Sequence, residues 1–216
     1  MKKIIFLIMV LILVCCGACS EPKDKSTAVY MLLDTSGTYA AELNKAQDIL
    51  NYLLGTLQPG DTLAVARIDT GSFSEKDIIA KVTFDSRPSM ANNQKRAFQK
   101  KIDAFVTTVK DSPYTDVSGG VLQAIEYLNE TGAGKKYILL FSDLQEELAK
   151  DYIRDVPFQL EGFNVIALNV TKLRTDNQDP KKYMERVADW KSKVEKGKGE
   201  WKHINDLSHL ERIFKR

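Results

Sequence analysis

Apolar and polar positions along the chain follow two different periods, and their alternation predicts strands followed by helices. Two short runs, 28–33 and 137–141, are continuously apolar, which is typical of strands buried on both faces of a parallel sheet. Between 40 and 57, apolar residues recur every three or four positions, as on one face of a helix. The same criteria predict strands at 62–68, 78–84 and 163–170 and near Trp201, and helices at 94–109, 117–129, 148–155, 180–195 and 205–214.

This order of elements predicts an α/β domain with a largely parallel sheet. The strands at 62–68 and 78–84 are joined by a polar loop around Gly71 with no helix between them. We expect these two strands to form a hairpin at one edge of the sheet, because a short connection joins antiparallel neighbours.

Composition and charge exclude several classes of protein. The 216 residues are 44% hydrophobic and 28% charged, proportions of a globular chain and not of a disordered one. The formal net charge is only +2, and it falls to zero without Lys2 and Lys3. Because nucleic-acid binding requires a basic surface, no nucleic-acid partner is expected.

The N-terminus has the pattern of an export signal. Lys2 and Lys3 precede an apolar run at 4–14, which as a helix would reach only about 16 Å and is too short to span a bilayer. Gly17 and Ala18 lie directly before Cys19, and this arrangement resembles the bacterial lipobox, although Cys16 stands where Leu is usual. All three cysteines fall within 15–19, so the rest of the chain can form no disulfide of its own.

The resemblance to the lipobox implies a signal peptide at 1–18, acylation of Cys19, a short tether at 19–27 and a folded domain at 28–216. It places the protein in the cell envelope as a lipid-anchored membrane protein. Ser20 after the acylated residue implies the outer membrane, facing the periplasm, if the source is a diderm bacterium. An ordinary signal peptide with incidental cysteines is the alternative.

Oxygen-bearing side chains follow the two continuous apolar strands. Asp34 and Ser36 come directly after the first strand and Asp143 after the second, while Thr115 lies in a loop that leads into a predicted helix. If the two strands are neighbours, these groups meet at the carboxyl edge of the sheet, where α/β proteins bind ligands. Carboxylate and hydroxyl oxygens suit a hard divalent ion, Mg²⁺ or alternatively Mn²⁺ or Ca²⁺. Zinc is not expected, because Cys19, His203 and His209 are widely scattered.

Three short motifs in this order resemble a von Willebrand factor type A (VWA) domain with a metal-ion-dependent adhesion site. Thr38 keeps the hydroxyl of the family's third position, whereas Leu144 stands where the family commonly has Gly. The Gly119-Gly120 pair also fits the family pattern. The motifs are Asp34-x-Ser36-x-Thr38, Thr115-Asp116, and Asp143 after an apolar strand.

The resemblance implies a three-layer Rossmann-like fold, with one antiparallel edge strand and helices on both faces of a mostly parallel sheet. It implies that Ser36, Thr38 and Thr115 coordinate the ion, and that Asp34 and Asp143 bind it directly or through water. The implied function is metal-dependent protein binding without catalysis, in which the partner supplies an acidic side chain to the metal.

Other interpretations of the same residues remain open. Asp34 and Asp143 can simply cap loops, with Ser36 or Thr38 as the N-cap of the next helix, or the VWA fold can serve as a scaffold without metal. The segment from Asp34 to Thr38 also resembles the first motif of haloacid-dehalogenase-type phosphatases. In that family Asp34 would be the nucleophile and Ser142 the phosphate-binding hydroxyl, but Ser36 replaces the usual general acid.

Overall fold

The computed structural model describes residues 25–36, 42–68, 74–109, 112–148, 150, 156–168, 170, 180–204 and 207–214. Within these ranges the strands are β1 (Thr27–Leu33), β2 (Thr62–Arg67), β3 (Ile78–Thr83), β4 (Lys135–Phe141), β5 (Phe163–Leu168) and β6 (Glu200–Ile204). The helices are α1 (Leu43–Thr56), α2 (Pro88–Thr108), α3 (Val117–Glu130), α4 (Pro180–Lys196) and α5 (Leu207–Phe214).

The described strands form one sheet in the order β3-β2-β1-β4-β5-β6. Only β2 and β3 pair antiparallel, and every other neighbouring pair is parallel. The predicted α/β fold and its edge hairpin are therefore confirmed. Leu33 pairs with Phe141 across β1 and β4, so the two apolar strands are neighbours and end together. Asp34 and Ser142, which follow them, leave the sheet side by side.

Helices cover both faces of this sheet, which is why its central strand is continuously apolar. Tyr30 and Leu32 of β1 belong to the core cluster that includes residues of α3 and α4. Met31 and Leu33 belong to the opposite cluster, which includes residues of α1, α2 and α5. Successive side chains of a strand point to opposite faces, so a strand in the middle of three layers needs apolar residues at every position.

A buried carboxylate fixes the start of β1. Asp61 is 1% exposed. Its Oδ1 accepts the backbone N–H of Thr27 at 2.8 Å, and its Oδ2 accepts that of Gln58 at 2.7 Å. A buried acceptor satisfied by two N–H groups is a strong local constraint. The first residue of β1 is thus fastened to the turn that leads into β2.

Helix α3 approaches the sheet closely because it carries a glycine at the contact. A Cβ atom built on Gly120 would lie 2.7 Å from Ile68 Cγ2 and 3.0 Å from Leu32 Cδ2. Such distances are shorter than van der Waals contact. The absence of a side chain at Gly120 therefore sets the position of α3, and with it that of the preceding loop at 112–116.

Some boundaries differ from the sequence prediction. Helix α2 begins at Pro88, six residues before the predicted start, with proline in its first turn. In its first turns the side chain of Met90 is 41% exposed and Ala91 is the main buried residue. The sequence therefore shows little helical periodicity of apolar residues there. The strand predicted to reach Val170 ends at Leu168, and the first described residue of α5 is Leu207.

Several predictions fall outside the described residues. These are the signal segment 1–18, Cys19, Thr38 and most of the helix expected at 148–155. In the part of the chain that is described, no helix has both the length and the apolar character needed to cross a membrane.

Candidate metal centre

Asp34 is the central residue of the site. It follows β1, is fully buried, and donates its backbone N–H to the carbonyl of Phe141 at 2.9 Å. Its Oδ1 accepts the Ser36 N–H at 2.9 Å and the Ser36 hydroxyl at 2.5 Å. Its Oδ2 accepts the Ser142 hydroxyl at 2.8 Å. Both carboxylate oxygens are thus engaged by residues at the ends of two adjacent strands.

Thr115 joins this group from a distant part of the sequence. Its hydroxyl donates to the Ser36 hydroxyl oxygen at 2.9 Å, across 79 positions of the chain. Its backbone forms an antiparallel bridge with Glu147, with two N–H to carbonyl hydrogen bonds of 2.9 Å. The side chains of Asp34, Ser36 and Thr115 are therefore joined by successive hydrogen bonds between their oxygen atoms.

Asp143 lies close enough to interact electrostatically with Asp34. It is 8% exposed, and its Oδ1 accepts the N–H of Gln145 at 2.8 Å. Its negative charge contributes to the raised pKa of Asp34. Thr38, the fifth predicted ligand, lies outside the described residues.

Burial governs the ionisation of Asp34. Desolvation raises the pKa of its carboxyl from 3.8 to about 6, with a smaller contribution from Asp143. Hydrogen bonds from Ser36 and Ser142 stabilise the charged form and oppose this shift. A cation beside the two carboxylates would relieve both the desolvation cost and their mutual repulsion.

The chemistry of the donors fits a hard divalent ion. The groups brought together are two carboxylates and the hydroxyls of Ser36 and Thr115, all oxygen ligands of the kind preferred by Mg²⁺ and Mn²⁺. Within the described residues, no cluster of three or more His, Cys, Asp or Glu side chains is placed to hold a metal. Any ion here would depend on hydroxyl groups and water for the rest of its coordination.

The loop after β4 keeps a left-handed turn although glycine is missing. Leu144 has a φ of 66°, a conformation that normally favours glycine. Its side chain is 2% exposed, and its carbonyl accepts the indole N–H of Trp190 at 2.9 Å. Burial of the side chain and this hydrogen bond stabilise a backbone that leucine rarely adopts.

Loop capping explains part of the geometry but not all of it. Asp34 and Asp143 each accept the N–H of the residue two positions later, and Asp116 caps α3 by accepting the Gly119 N–H at 2.8 Å. Ser36 does not cap α1, whose first residue is Leu43. Capping gives no reason for the contact between the hydroxyls of Ser36 and Thr115.

Three contributors to the site were not predicted as part of it. Ser142 was considered only for the phosphatase alternative, although its place after β4 was a usable signal. Arg186 donates its Nε to the carbonyl of Asp143 at 2.7 Å, and Trp190 contacts Leu144 as described. Both lie on α4, more than 40 residues further along the chain, and no sequence motif indicates that they belong to the site.

Several solved structures are similar to this chain in fold, among them the following two. A von Willebrand factor type A protein from Catenulispora acidiphila is 14% identical, and the match covers 88% of this chain and 41% of that chain with a TM-score of 0.56. The pilus adhesin SpaC from Lactobacillus rhamnosus GG, in an open conformation, is 12% identical, and the match covers 89% of this chain and 29% of that one with a TM-score of 0.54. The chain therefore has the Rossmann-like fold of a VWA domain.

The chain spans less than half the length of either structure. By sequence it matches no protein-family model and no curated protein.

Proposed function

We propose that the protein is a lipid-anchored module of the cell envelope that binds a partner protein through a divalent metal ion. The observation that carries the proposal is the hydrogen-bonded chain from Asp34 through Ser36 to Thr115. It joins a carboxylate to two hydroxyls from separate loops at the carboxyl edge of the sheet. The similarity of the fold to a pilus adhesin supports a binding role.

The metal is proposed to be held by Asp34, Ser36, Thr115 and Asp143, together with Thr38. A bound divalent ion would supply positive charge and a coordination position for an acidic side chain of the partner. The protein itself contributes the fixed positions of its hydroxyls and the low-dielectric surroundings of Asp34. Mg²⁺ is the first candidate, with Mn²⁺ and Ca²⁺ as alternatives.

Titration with Mg²⁺ by calorimetry, on the full-length protein in detergent, tests this proposal. Thr115→Val removes one hydroxyl while keeping the shape of the side chain and the backbone bridge to Glu147. It is expected to weaken Mg²⁺ binding by tenfold or more, and Asp34→Ala is expected to abolish it. Thr107→Val, at an exposed hydroxyl that contacts only the helix backbone, is the matched control. Absence of Mg²⁺ binding to the unmodified protein would refute the metal site.

The partner is tested by retention from envelope extracts on immobilised protein. A partner that coordinates the metal is retained with Mg²⁺, is released by EDTA, and is not retained by Thr115→Val. Equal retention by Thr115→Val would instead indicate a binding surface elsewhere on the domain.

The anchor is proposed from the resemblance of 15–20 to a lipobox, with 1–18 removed and 19–27 as a tether. Mass spectrometry of the membrane-extracted protein is expected to find Cys19 at the N-terminus and acylated. An unmodified Cys19, or a cleavage site elsewhere, would contradict this part of the proposal.

Binding is proposed in preference to phosphatase activity. Both oxygens of Asp34 accept hydroxyl hydrogen bonds, which reduces the nucleophilicity of the carboxylate. The position of the usual general acid is taken by Ser36, which has no acidic proton to supply at neutral pH. Turnover of a phosphate ester that is lost in Asp34→Asn would overturn this preference.

A further inference from the structure

The loop after β4 is held by α4 at three points. Arg186 Nε donates to the carbonyl of Asp143 at 2.7 Å, and Trp190 Nε1 donates to the carbonyl of Leu144 at 2.9 Å. Lys193 Nζ lies 3.2 Å from Glu146 Oε2. The three residues of α4 are spaced three or four apart, so they form one stripe along the helix. Successive residues of this stripe contact Asp143, Leu144 and Glu146 in the order of the chain.

The contacts of Arg186 and Trp190 lie where the backbone conformation of the loop is least favourable for its residues. The carbonyls of Asp143 and Leu144 are successive, and the left-handed conformation of Leu144 lies between them. Trp190 and Leu144 are each 2% exposed, so their hydrogen bond is shielded from water. Without the indole N–H, the buried carbonyl of Leu144 would lack this partner, and the loop would lose a constraint on its turn.

The other side of the same loop reaches the candidate ligands. Asp143 Oδ1 accepts the Gln145 N–H at 2.8 Å, and Glu147 is bridged to the backbone of Thr115. Glu146 Oε1 also accepts the Ser118 N–H at 2.7 Å, at the start of α3. The loop therefore connects α4 to two of the proposed metal ligands, Asp143 and Thr115.

We infer that Arg186 and Trp190 are positioning residues of the metal centre. Neither is proposed to touch the ion. They hold the two carbonyls that define the turn, and the turn places the carboxylate of Asp143 and, through Glu147, the backbone of Thr115. This inference rests on the proposed metal-binding function, but it concerns residues of a helix that no motif of the sequence connects with the site.

The first test compares Mg²⁺ affinity among variants of the full-length protein. Trp190→Phe removes the indole N–H and keeps an aromatic ring, and it is expected to weaken Mg²⁺ binding on the order of tenfold. Trp201→Phe, on β6 and partly buried against the same core cluster, is the matched control and should bind as the unmodified protein does. Arg186→Met is expected to weaken binding similarly, whereas Arg186→Lys, which keeps a cationic donor, should restore most of it.

A purely structural role of these residues would lower the unfolding midpoint without changing the affinity. Mg²⁺ affinities of Trp190→Phe and Arg186→Met within twofold of the unmodified protein, at any stability, would therefore overturn the inference.

The second test needs no metal. Hydrogen exchange, followed by mass spectrometry of the peptide covering 142–148 in EDTA, reports the amides of Gln145 and Glu147. Exchange there is expected to accelerate in Trp190→Phe and Arg186→Met, relative to a peptide from β1 in the same variant, and to stay unchanged in Trp201→Phe. If the unmodified protein binds no Mg²⁺, the proposed function fails, and this measurement alone decides whether α4 holds the loop. Unchanged exchange in Trp190→Phe and Arg186→Met would overturn the inference that α4 holds this loop.

Discussion

Asp34 is the residue at which folding and the proposed chemistry conflict most directly. Its carboxyl is fully buried and its pKa is raised to about 6, so without a cation its charge destabilises the folded state at neutral pH. The folded pKa lies above the unfolded value of 3.8. The contribution of protonated Asp34 to folding stability is therefore fully present below about pH 4 and is lost as the pH rises through 6.

The first prediction is that Asp34→Asn stabilises the metal-free protein at pH 7.5. The shift from 3.8 to about 6 corresponds to about 3 kcal/mol at most. Because the amide has only one acceptor oxygen, the Ser142 hydroxyl must accept from its NH2 group where it donated to the carboxylate, and the expected net gain is about 1–2 kcal/mol. Most of this gain should be lost by pH 4, where Asp34 is protonated in the folded state and about half protonated in the unfolded state. Urea unfolding in EDTA at both pH values measures it.

Addition of Mg²⁺ should reverse this order, because only the carboxylate binds the ion. Asp48→Asn, at an exposed position of α1, is the control and should change stability little at either pH. A variant Asp34→Asn that is less stable than the unmodified protein in EDTA at pH 7.5 would contradict the assignment.

Leu144 leads to a second prediction, which also concerns a single residue. Leu144→Ala and Leu144→Gly both lose a buried side chain and should destabilise the domain by about 2–5 kcal/mol. Glycine, however, also relieves the left-handed backbone. It is expected to be the more stable of the two by about 0.5–1 kcal/mol, after its greater chain entropy in the unfolded state is counted.

Position 53 provides the control for this comparison. Leu53 is buried in the helix α1, where alanine is more favourable than glycine by about 1 kcal/mol, so the order of the two variants should be reversed. Thermal unfolding of the four variants suffices. Alanine being the more stable residue at both positions would mean that Leu144 carries no backbone strain.

Sequence reasoning reached these residues unequally, for physical reasons. The proximity of Asp34, Ser36 and Thr115 could be predicted because strand ends and their loops meet at one edge of a parallel sheet. The turn at Leu144 could not, because leucine has no propensity for it and the stabilising Trp190 is 46 positions away. A tertiary hydrogen bond of this kind leaves no periodic pattern in the sequence.

At the scale of the elements, the depth at which α3 packs decides where Thr115 lies. Asp116 donates its N–H to the carbonyl of Ile68 at 2.8 Å and caps α3, so this residue links the start of the helix to the end of β2. Gly120 permits this close approach. The order of strands and helices was predictable from periodicity, whereas the early start of α2 was not, because its first turns are exposed and polar.

The third prediction compares two glycine substitutions in helices. Gly120→Ala places a methyl group 2.7 Å from a buried branch of Ile68, and overpacking should cost about 1–3 kcal/mol, partly offset by the helix propensity of alanine. Gly55→Ala, in α1 with nothing within 4 Å, should gain up to about 1 kcal/mol. Thermal unfolding should therefore show changes of opposite sign, and stabilisation by both substitutions would rule out close packing at Gly120.

At the scale of the whole molecule, charge is balanced, with 31 Lys and Arg against 29 Asp and Glu. The two excess positive charges are accounted for by Lys2 and Lys3 of the predicted signal segment. A balanced domain has little long-range field to attract a partner. Recognition is expected to depend on the local charge at the carboxyl edge of the sheet.

The fourth prediction follows from this balance. Retention of the envelope partner on immobilised protein should change less than about twofold when ionic strength rises from about 0.05 to 0.3 M, conditions that strongly screen exposed charges. Chelation of the metal should release the partner at either ionic strength. Release by salt alone, with Mg²⁺ present, would show that surface charge and not the metal centre holds the partner.

The hydrogen bond between Asp61 and Thr27 has a mechanical consequence. A pulling force applied at Lys25 reaches the domain at Thr27, the first residue of β1. A partner held through the proposed metal at Asp34 would apply its force directly after Leu33, the last residue of the same strand. The load between them runs through the seven residues of one strand. The covalent backbone of β1 would then carry the tension, while its hydrogen bonds to β2 and β4 and the helices lie outside the path of the force.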